Sequence, residues 1–193
     1  RFLSMIQEKA RHMTRLVDNM LVMYQCALDQ ARFEPAPMNI LQFVADIVEE
    51  YRETDAEHEL IFQISGKTSG FWGDQGMLRL AIDNLLSNAI KFSPDDGRIE
   101  IYLRGDDSTV TLTIQDFGIG IPNTDQDDLF QSFNRASNAS HIQGIGLGLS
   151  ITKACIDLHG GQLGLESQVD QGTKVFFQLP KQLHQSAYQE SQS

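Results

Sequence analysis

The chain has 193 residues, 41% of them hydrophobic, with eleven Phe and a formal net charge of -11. That apolar share suffices for one domain with a core, or one domain plus a helical appendage, and it argues against disorder. The acidity excludes nucleic acid as the expected partner, since phosphate-backbone binding needs a basic face, but a magnesium-bound nucleotide remains compatible with it.

From Leu3 onward, apolar residues recur at alternating spacings of three and four: Leu3, Ile6, Ala10, Met13, Val17, Met20, Tyr24, Ala27 and Ala31. Neither Gly nor Pro interrupts them, so a long N-terminal helix with an a/d seam is predicted. Leu16, Leu21, Met23 and Leu28 widen the stripe towards the face of a helix in a four-helix bundle. One helix cannot bury that stripe alone. It packs on the rest of this chain or on a second copy, and the sharper expectation is a homodimer through the N-terminal helix.

The run Glu34-Pro35-Ala36-Pro37 stops the helix, because Pro lacks an N–H and restricts the residue before it. A boundary there separates residues 1–34 from a domain over 37–180. Asn39 caps a second helix, with Ile40, Val44, Ile47 and Tyr51 on its apolar face. Leu60–Ile64 and Phe71–Trp72 read as strands, and a strongly apolar helix runs from Gln75 to Lys91. Ser93-Pro94-Asp95-Asp96-Gly97 closes that helix as a turn. Ile99–Tyr102 and Val110–Ile114 form a predicted hairpin. Pro122–Gln143 is polar and long for a loop, which suggests a functional lid. A helix over Gly146–Leu158 ends at Gly160-Gly161, and strands Gln162–Glu166 and Lys174–Leu179 follow. The Gln- and Ser-rich stretch 181–193 is expected to be a disordered tail. Interleaved helices with hairpin-connected strands point to an α/β (α+β) two-layer sandwich behind the long helix.

No apolar run approaches a membrane span and no signal peptide opens the chain. Cys26 and Cys155 lie outside any metal-ligand spacing, as reduced cysteines in a cytoplasmic setting would. Arg1 leads straight into the helical pattern without a starting Met, as in a piece of a longer protein whose parent could be membrane-anchored.

Four short elements carry chemistry. On the long helix, Asn84, Asn88 and Lys91 lie at i, i+4 and i+7 and so share one face. Two amides and an ammonium suit magnesium and phosphate better than a core, although an exposed polar stripe would have the same spacing. Asp116-Phe117-Gly118-Ile119-Gly120 follows a strand, where a carboxylate can point at a ligand while the backbone approaches closely. Gly144-Ile145-Gly146-Leu147-Gly148-Leu149 opens a helix and presents free N–H groups to an anion. Its spacing is neither the Walker pattern nor the dinucleotide fingerprint. Gly172-Thr173 before the last strand is by itself only a turn.

In this order, the four elements resemble the N, G1, G2 and G3 boxes of the histidine kinase ATP-binding domain, of the GHKL ATPase superfamily. Leu129-Phe130-Gln131-Ser132-Phe133-Asn134-Arg135 resembles the F box, and Gly73-Asp74, Leu78 and Leu158-His159-Gly160-Gly161 match at less chemical positions. The helix before Pro35 looks like the second helix of the family's dimerisation and phosphotransfer bundle. The resemblance implies Mg-ATP as ligand, with Asn88 holding Mg2+ through its amide oxygen and Asn84 supporting it. Lys91 would reach phosphate oxygens, Phe92 would pack on adenine, and Asp116 would accept from the adenine amino group beside Thr173. Gly118 and Gly120 would let the chain close over the base. Gly144, Gly146 and Gly148, with Leu147 and Leu149 between and after them, would let the lid fold over the phosphates. Arg135 would approach the terminal phosphate. A response-regulator receiver domain would be the onward partner.

Hydrolysing relatives in the superfamily place a Glu base where this chain has Asn84, and an amide cannot take a proton from water. Adjacent Asp83 points about 100° away around the helix. The nucleophile implied is therefore a histidine. None of His12, His58, His141, His159 and His184 has the family's phosphoacceptor pattern. His58 reads as a surface residue and His159 as a helix-end residue. Two rivals share the boxes: an anti-sigma-type serine kinase, and a non-catalytic dimerising module switched by nucleotide.

Overall fold

A computed structural model describes residues 33–55, 57–142 and 144–182. The chain divides between Phe33 and Glu34. The predicted N-terminal helix, and the predicted tail beyond Gln182, lie outside the described residues.

The elements run β1 (Ala36–Met38), α1 (Ile40–Thr54), β2 (Glu59–Gly66), β3 (Phe71–Gly73) and α2 (Gln75–Phe92). They continue with β4 (Arg98–Gly105), β5 (Thr109–Asp116), the short α3 (Asn123–Gln126), a 3-10 turn at Ser137–Ala139, α4 (Gly148–Leu158), β6 (Gln162–Gln168) and β7 (Gly172–Pro180). Five strands form one sheet in the order β2-β4-β5-β7-β6, with β2 parallel to β4 and the remaining neighbours antiparallel. Every second residue of β4 and β5 is buried: Ile99, Ile101 and Leu103, then Val110, Leu112 and Ile114. These face Val44 and Ile47 of α1, Leu78, Ile82 and Leu86 of α2, and Ile151 and Ile156 of α4, all buried. Thr109, Thr111, Thr113 and Gln115 occupy the alternate positions of β5. One face packed and one left to polar residues gives the two-layer sandwich that the hairpins predict.

Several details depart from the sequence expectation. The Pro-rich stop is also a strand: β1 pairs antiparallel with β3, placing Pro37 opposite Trp72. Pro is tolerated there because the little sheet has only edges. Lys181, assigned to the tail, belongs to the fold and is 4% exposed. Its N–H donates to Ser108 O at 2.8 Å, its carbonyl accepts from Trp72 N at 3.0 Å, and its Nζ donates to Lys67 O at 2.7 Å. The His58 side chain is not on the surface but 6% exposed, with Nδ1 2.9 Å from Asp55 Oδ2, because Asp55 lies three residues upstream and holds the ring.

His159 is the C-cap of α4, as the sequence suggests, but it is also buried and joins two elements. Its Nδ1 donates to Cys155 O at 2.7 Å, so Nε2 is the acceptor that takes the Asp74 N–H at 3.0 Å. Asp74 in turn caps α2, its Oδ1 accepting from Met77 N at 3.0 Å. The end of α4 and the start of α2 are thereby fixed to each other. Among the described residues, no helix is long and apolar enough to cross a membrane.

Candidate functional site

The predicted chemical residues gather where α2, the β5–α3 turn and the start of α4 meet. The amphipathic spacing of α2 buries Leu85, Leu86 and Ala89 and turns Asn84, Asn88 and Lys91 to another side. Gly144 and Gly148 lie against that side. A Cβ at Gly148 would stand 3.4 Å from Asn88 Nδ2 and 3.7 Å from Asn84 Oδ1, and one at Gly144 would stand 2.6 Å from Lys91 Nζ. A side chain there would fill the space over the amides and the ammonium. Asn84 Nδ2 is buried without a hydrogen-bond partner, while its Oδ1 is the side-chain atom turned towards Gly148.

Lys91 Nζ sits over the Phe92 ring, 4.6 Å from its centroid. Burial, and then the nearby Arg135 charge, lower its pKa, so a polyanion beside it would favour the charged form. Arg135 Nη2 donates to Ala139 O at 2.6 Å and also to Ile142 O, bracing the loop between the second and third boxes. Phe133 donates its N–H to Gly146 O at 2.9 Å, which ties the F-box segment to the glycine loop. Leu147 is buried, and its carbonyl accepts from Ile151 N at 3.0 Å as α4 begins; Leu149 is half-buried.

Asp116 ends β5 and is 7% exposed. Its Oδ1 accepts from Gly118 N at 3.0 Å and Thr173 N at 3.1 Å, and Oδ2 takes no part in those two bonds. Burial pushes its pKa up to about 6, against the pull of those backbone donors. A Cβ on Gly118 would stand 1.9 Å from Phe92 O, and Ile119 N donates to the same carbonyl at 3.2 Å. The turn after β5 thus closes directly on the end of α2. Gly120 has φ +60 where the Gln168 carbonyl approaches, a conformation and a contact that only glycine accepts.

A cleft of about 290 Å³ opens beside Lys91, Phe92, Ser93, Phe117, Gly118 and Ile142. Asp116 and Thr173 do not line it. The structure therefore brings three groups together without merging them: the amides with Gly148, Phe92 and Lys91 with the cleft, and Asp116 with Thr173. Gly118 and Lys91 link the groups to one another.

Sequence reasoning did not find Ser167, Gln126 or Asn138. Ser167 Oγ accepts from Ile121 N at 2.8 Å and donates to Gly172 O at 2.8 Å, beside Thr173 Oγ1 at 2.9 Å. Gln126 Nε2 donates to Ile121 O at 3.1 Å and Ser167 O at 2.9 Å, and Asn138 Nδ2 to Gly120 O at 2.9 Å. Nothing in their spacing marks them; each acts on a partner distant in sequence.

Asp83 also bears on the chemistry. Its Oδ2 is held at 2.9 Å by Arg79 Nε, and Arg79 also binds Glu50. Burial raises the Asp83 pKa, and its side chain serves the Arg79 network instead of the Asn84 face.

A purine has a hydrogen-bonding edge at one end and, in a nucleotide, phosphates at the other. A buried strand-end carboxylate and a helix face of amides and ammonium have the chemistry of those two ends, and Gly118 joins the first to the helix that carries the second. The class so defined is an ATP-binding domain. The chain belongs to the histidine kinase-, DNA gyrase B- and HSP90-like ATPases, whose family model matches residues 73–183. It is 30% identical over 185 residues to the sensor histidine kinase WalK of Bacillus subtilis (strain 168), covering 93% of this chain and 30% of WalK. It is 29% identical over 187 residues to the circadian input-output histidine kinase CikA of Synechococcus elongatus, covering 94% of this chain and 25% of CikA. Among solved structures, a mycobacterial sensor histidine kinase, MprB, superposes with a TM-score of 0.66 at 28% identity, over 79% of this chain and all of that one. The chain thus spans less than a third of the length of these two curated relatives.

Proposed function

We propose that this chain binds Mg-ATP and donates the γ-phosphoryl group to a histidine that lies outside it, as the catalytic part of a cytoplasmic sensor histidine kinase. The carrying observation is the Asn84/Asn88/Lys91 face of α2 lying under Gly144 and Gly148, with no carboxylate at the Asn84 position. Asp116 Oδ2 would accept from the adenine amino group, and Phe92 would offer its ring to the base. Lys91 would bind phosphate oxygens, and Arg135, held near Lys91, would add positive charge there.

The residues present fit magnesium. Asn88 Oδ1 is a hard oxygen donor that would hold the ion together with substrate phosphates, the usual magnesium arrangement. When bound, magnesium neutralises charge on those phosphates as the phosphoryl group leaves. The chain's own work is positioning and charge compensation. Asn84 cannot act as a base towards water, so the nucleotide should remain whole until a nucleophile arrives. We further propose that residues 1–34 pair with a second copy and that a receiver domain takes the phosphoryl group onward.

The test is incubation with γ-labelled ATP and a separate helical bundle of the sensor-kinase type carrying its acceptor histidine. Acid-labile, base-stable label should appear on the bundle, none on this chain, and none anywhere with Asn88→Ala. Acid-stable label on a serine would favour the anti-sigma-type serine kinase instead.

A further inference from the structure

We propose that Ser167 is a positioning residue for base selection: it turns the Thr173 hydroxyl into a pure hydrogen-bond acceptor beside Asp116. This rests on the adenine-nucleotide reading of the site. The hydroxyl of Ser167 has one hydrogen and two lone pairs. Ile121 N–H, 2.8 Å away, can only donate to it, and Gly172 O, also at 2.8 Å, can only accept from it. The single Ser167 hydrogen is therefore committed to Gly172 O. The remaining contact, 2.9 Å to Thr173 Oγ1, then requires Thr173 to be the donor. With its hydrogen so engaged, Thr173 Oγ1 presents only lone pairs to anything else.

Thr173 N–H meanwhile binds Asp116 Oδ1 at 3.1 Å, which keeps the two residues together at the ends of β7 and β5. Their free valences, Asp116 Oδ2 and Thr173 Oγ1, are both acceptors. A 6-amino purine offers two hydrogens to such a pair. A 6-oxo purine presents lone pairs at that position, which both acceptors oppose, and only its N1–H can donate to one of the two. Ser167 would thus sharpen the discrimination that Asp116 begins, through hydroxyl direction and without touching the base. Gln126 supports the arrangement by donating to Ser167 O at 2.9 Å and Ile121 O at 3.1 Å.

The experiment is competitive titration of the full chain, with magnesium, by ADP and by inosine diphosphate, which differ in the 6-substituent and in the hydrogen on N1. The wild type should prefer ADP. Ser167→Ala frees the Thr173 hydrogen to donate, so the ADP preference should fall roughly 5- to 10-fold. Ser167→Thr, which keeps a hydroxyl, should restore it. In a Thr173→Val background, Ser167→Ala should leave the preference where Thr173→Val set it. If Ser167→Ala does not fold, Ser167→Cys, similar in size and a weaker hydrogen-bonding group, should lower the preference instead. Equal loss of affinity for both nucleotides, with the ratio unchanged, would show a merely structural role and overturn the proposal. A wild type that binds neither nucleotide would instead sink the reading on which it rests.

Discussion

Asp116 is the residue where binding and stability pull in opposite directions. Its folded pKa of about 6 lies above its ordinary 3.8, so the folded chain takes up a proton between those values. From this group alone, stability rises as pH falls through about 6, and above that pH the buried charge costs up to roughly 3 kcal/mol. Asp116→Asn keeps an acceptor for Gly118 N and Thr173 N while removing the charge. The variant should therefore melt higher than the parent at pH 7.5 without nucleotide. Its affinity for Mg-ATP should fall about 10- to 150-fold, the range for losing a hydrogen bond to a charged group. A melting point below the parent's would show that the carboxylate is structural. In the parent, ATP affinity should weaken as pH drops through about 6, because the protonated acid is a poorer acceptor.

At the scale of elements, the sequence was most informative where periodicity and caps agree. The alternation in Val110–Ile114 and the run of apolar residues before Lys91 locate β5 and α2 within a few residues. The Pro-rich strand β1 was hidden because its pairing depends on β3, across intervening helix and strand. The site was legible in the same uneven way. Asn88, Asp116 and the glycines stand in motifs, whereas Ser167 and Asn138 act through contacts that no local pattern announces. Likewise, nothing in Leu158-His159 shows that Nε2 will receive the Asp74 N–H. Burial lowers the His159 pKa, so the folded state holds fewer protons at this group than the unfolded chain. Its contribution is complete above the unfolded pKa of about 6.5 and is lost as pH falls from there through the folded value. Denaturant unfolding at pH 7.5 and 5.5 should show His159→Gln losing less stability on acidification than the parent does. An identical loss would mean that the α4–α2 join is insensitive to charge.

For the whole molecule, the division between Phe33 and Glu34 separates the proposed pairing helix from everything that forms the site. The a/d seam over residues 3–31 would expose more apolar surface than a lone soluble chain tolerates. Removing residues 1–33 should give a monomer in sedimentation that binds Mg-ATP as the full chain does. A full chain that stays monomeric at high concentration would show that the seam is covered in some other way. The family is legible in the sequence because its boxes are short, ordered and separated by recognisable elements. The arrangement of the cleft, which Ile142 and Phe92 both line and Asp116 does not, is not legible there, because loop placement depends on contacts such as Arg135 to Ala139.

The most direct test of the site is calorimetric titration of the full chain with ATP and with GTP, each with magnesium and with a chelator. One ATP site per chain is expected, with at least tenfold weaker binding of GTP and marked loss of ATP affinity when magnesium is removed or Asn88 is replaced by Ala. Binding of ATP and GTP with equal affinity, unaffected by chelation and by Asn88→Ala, would contradict it.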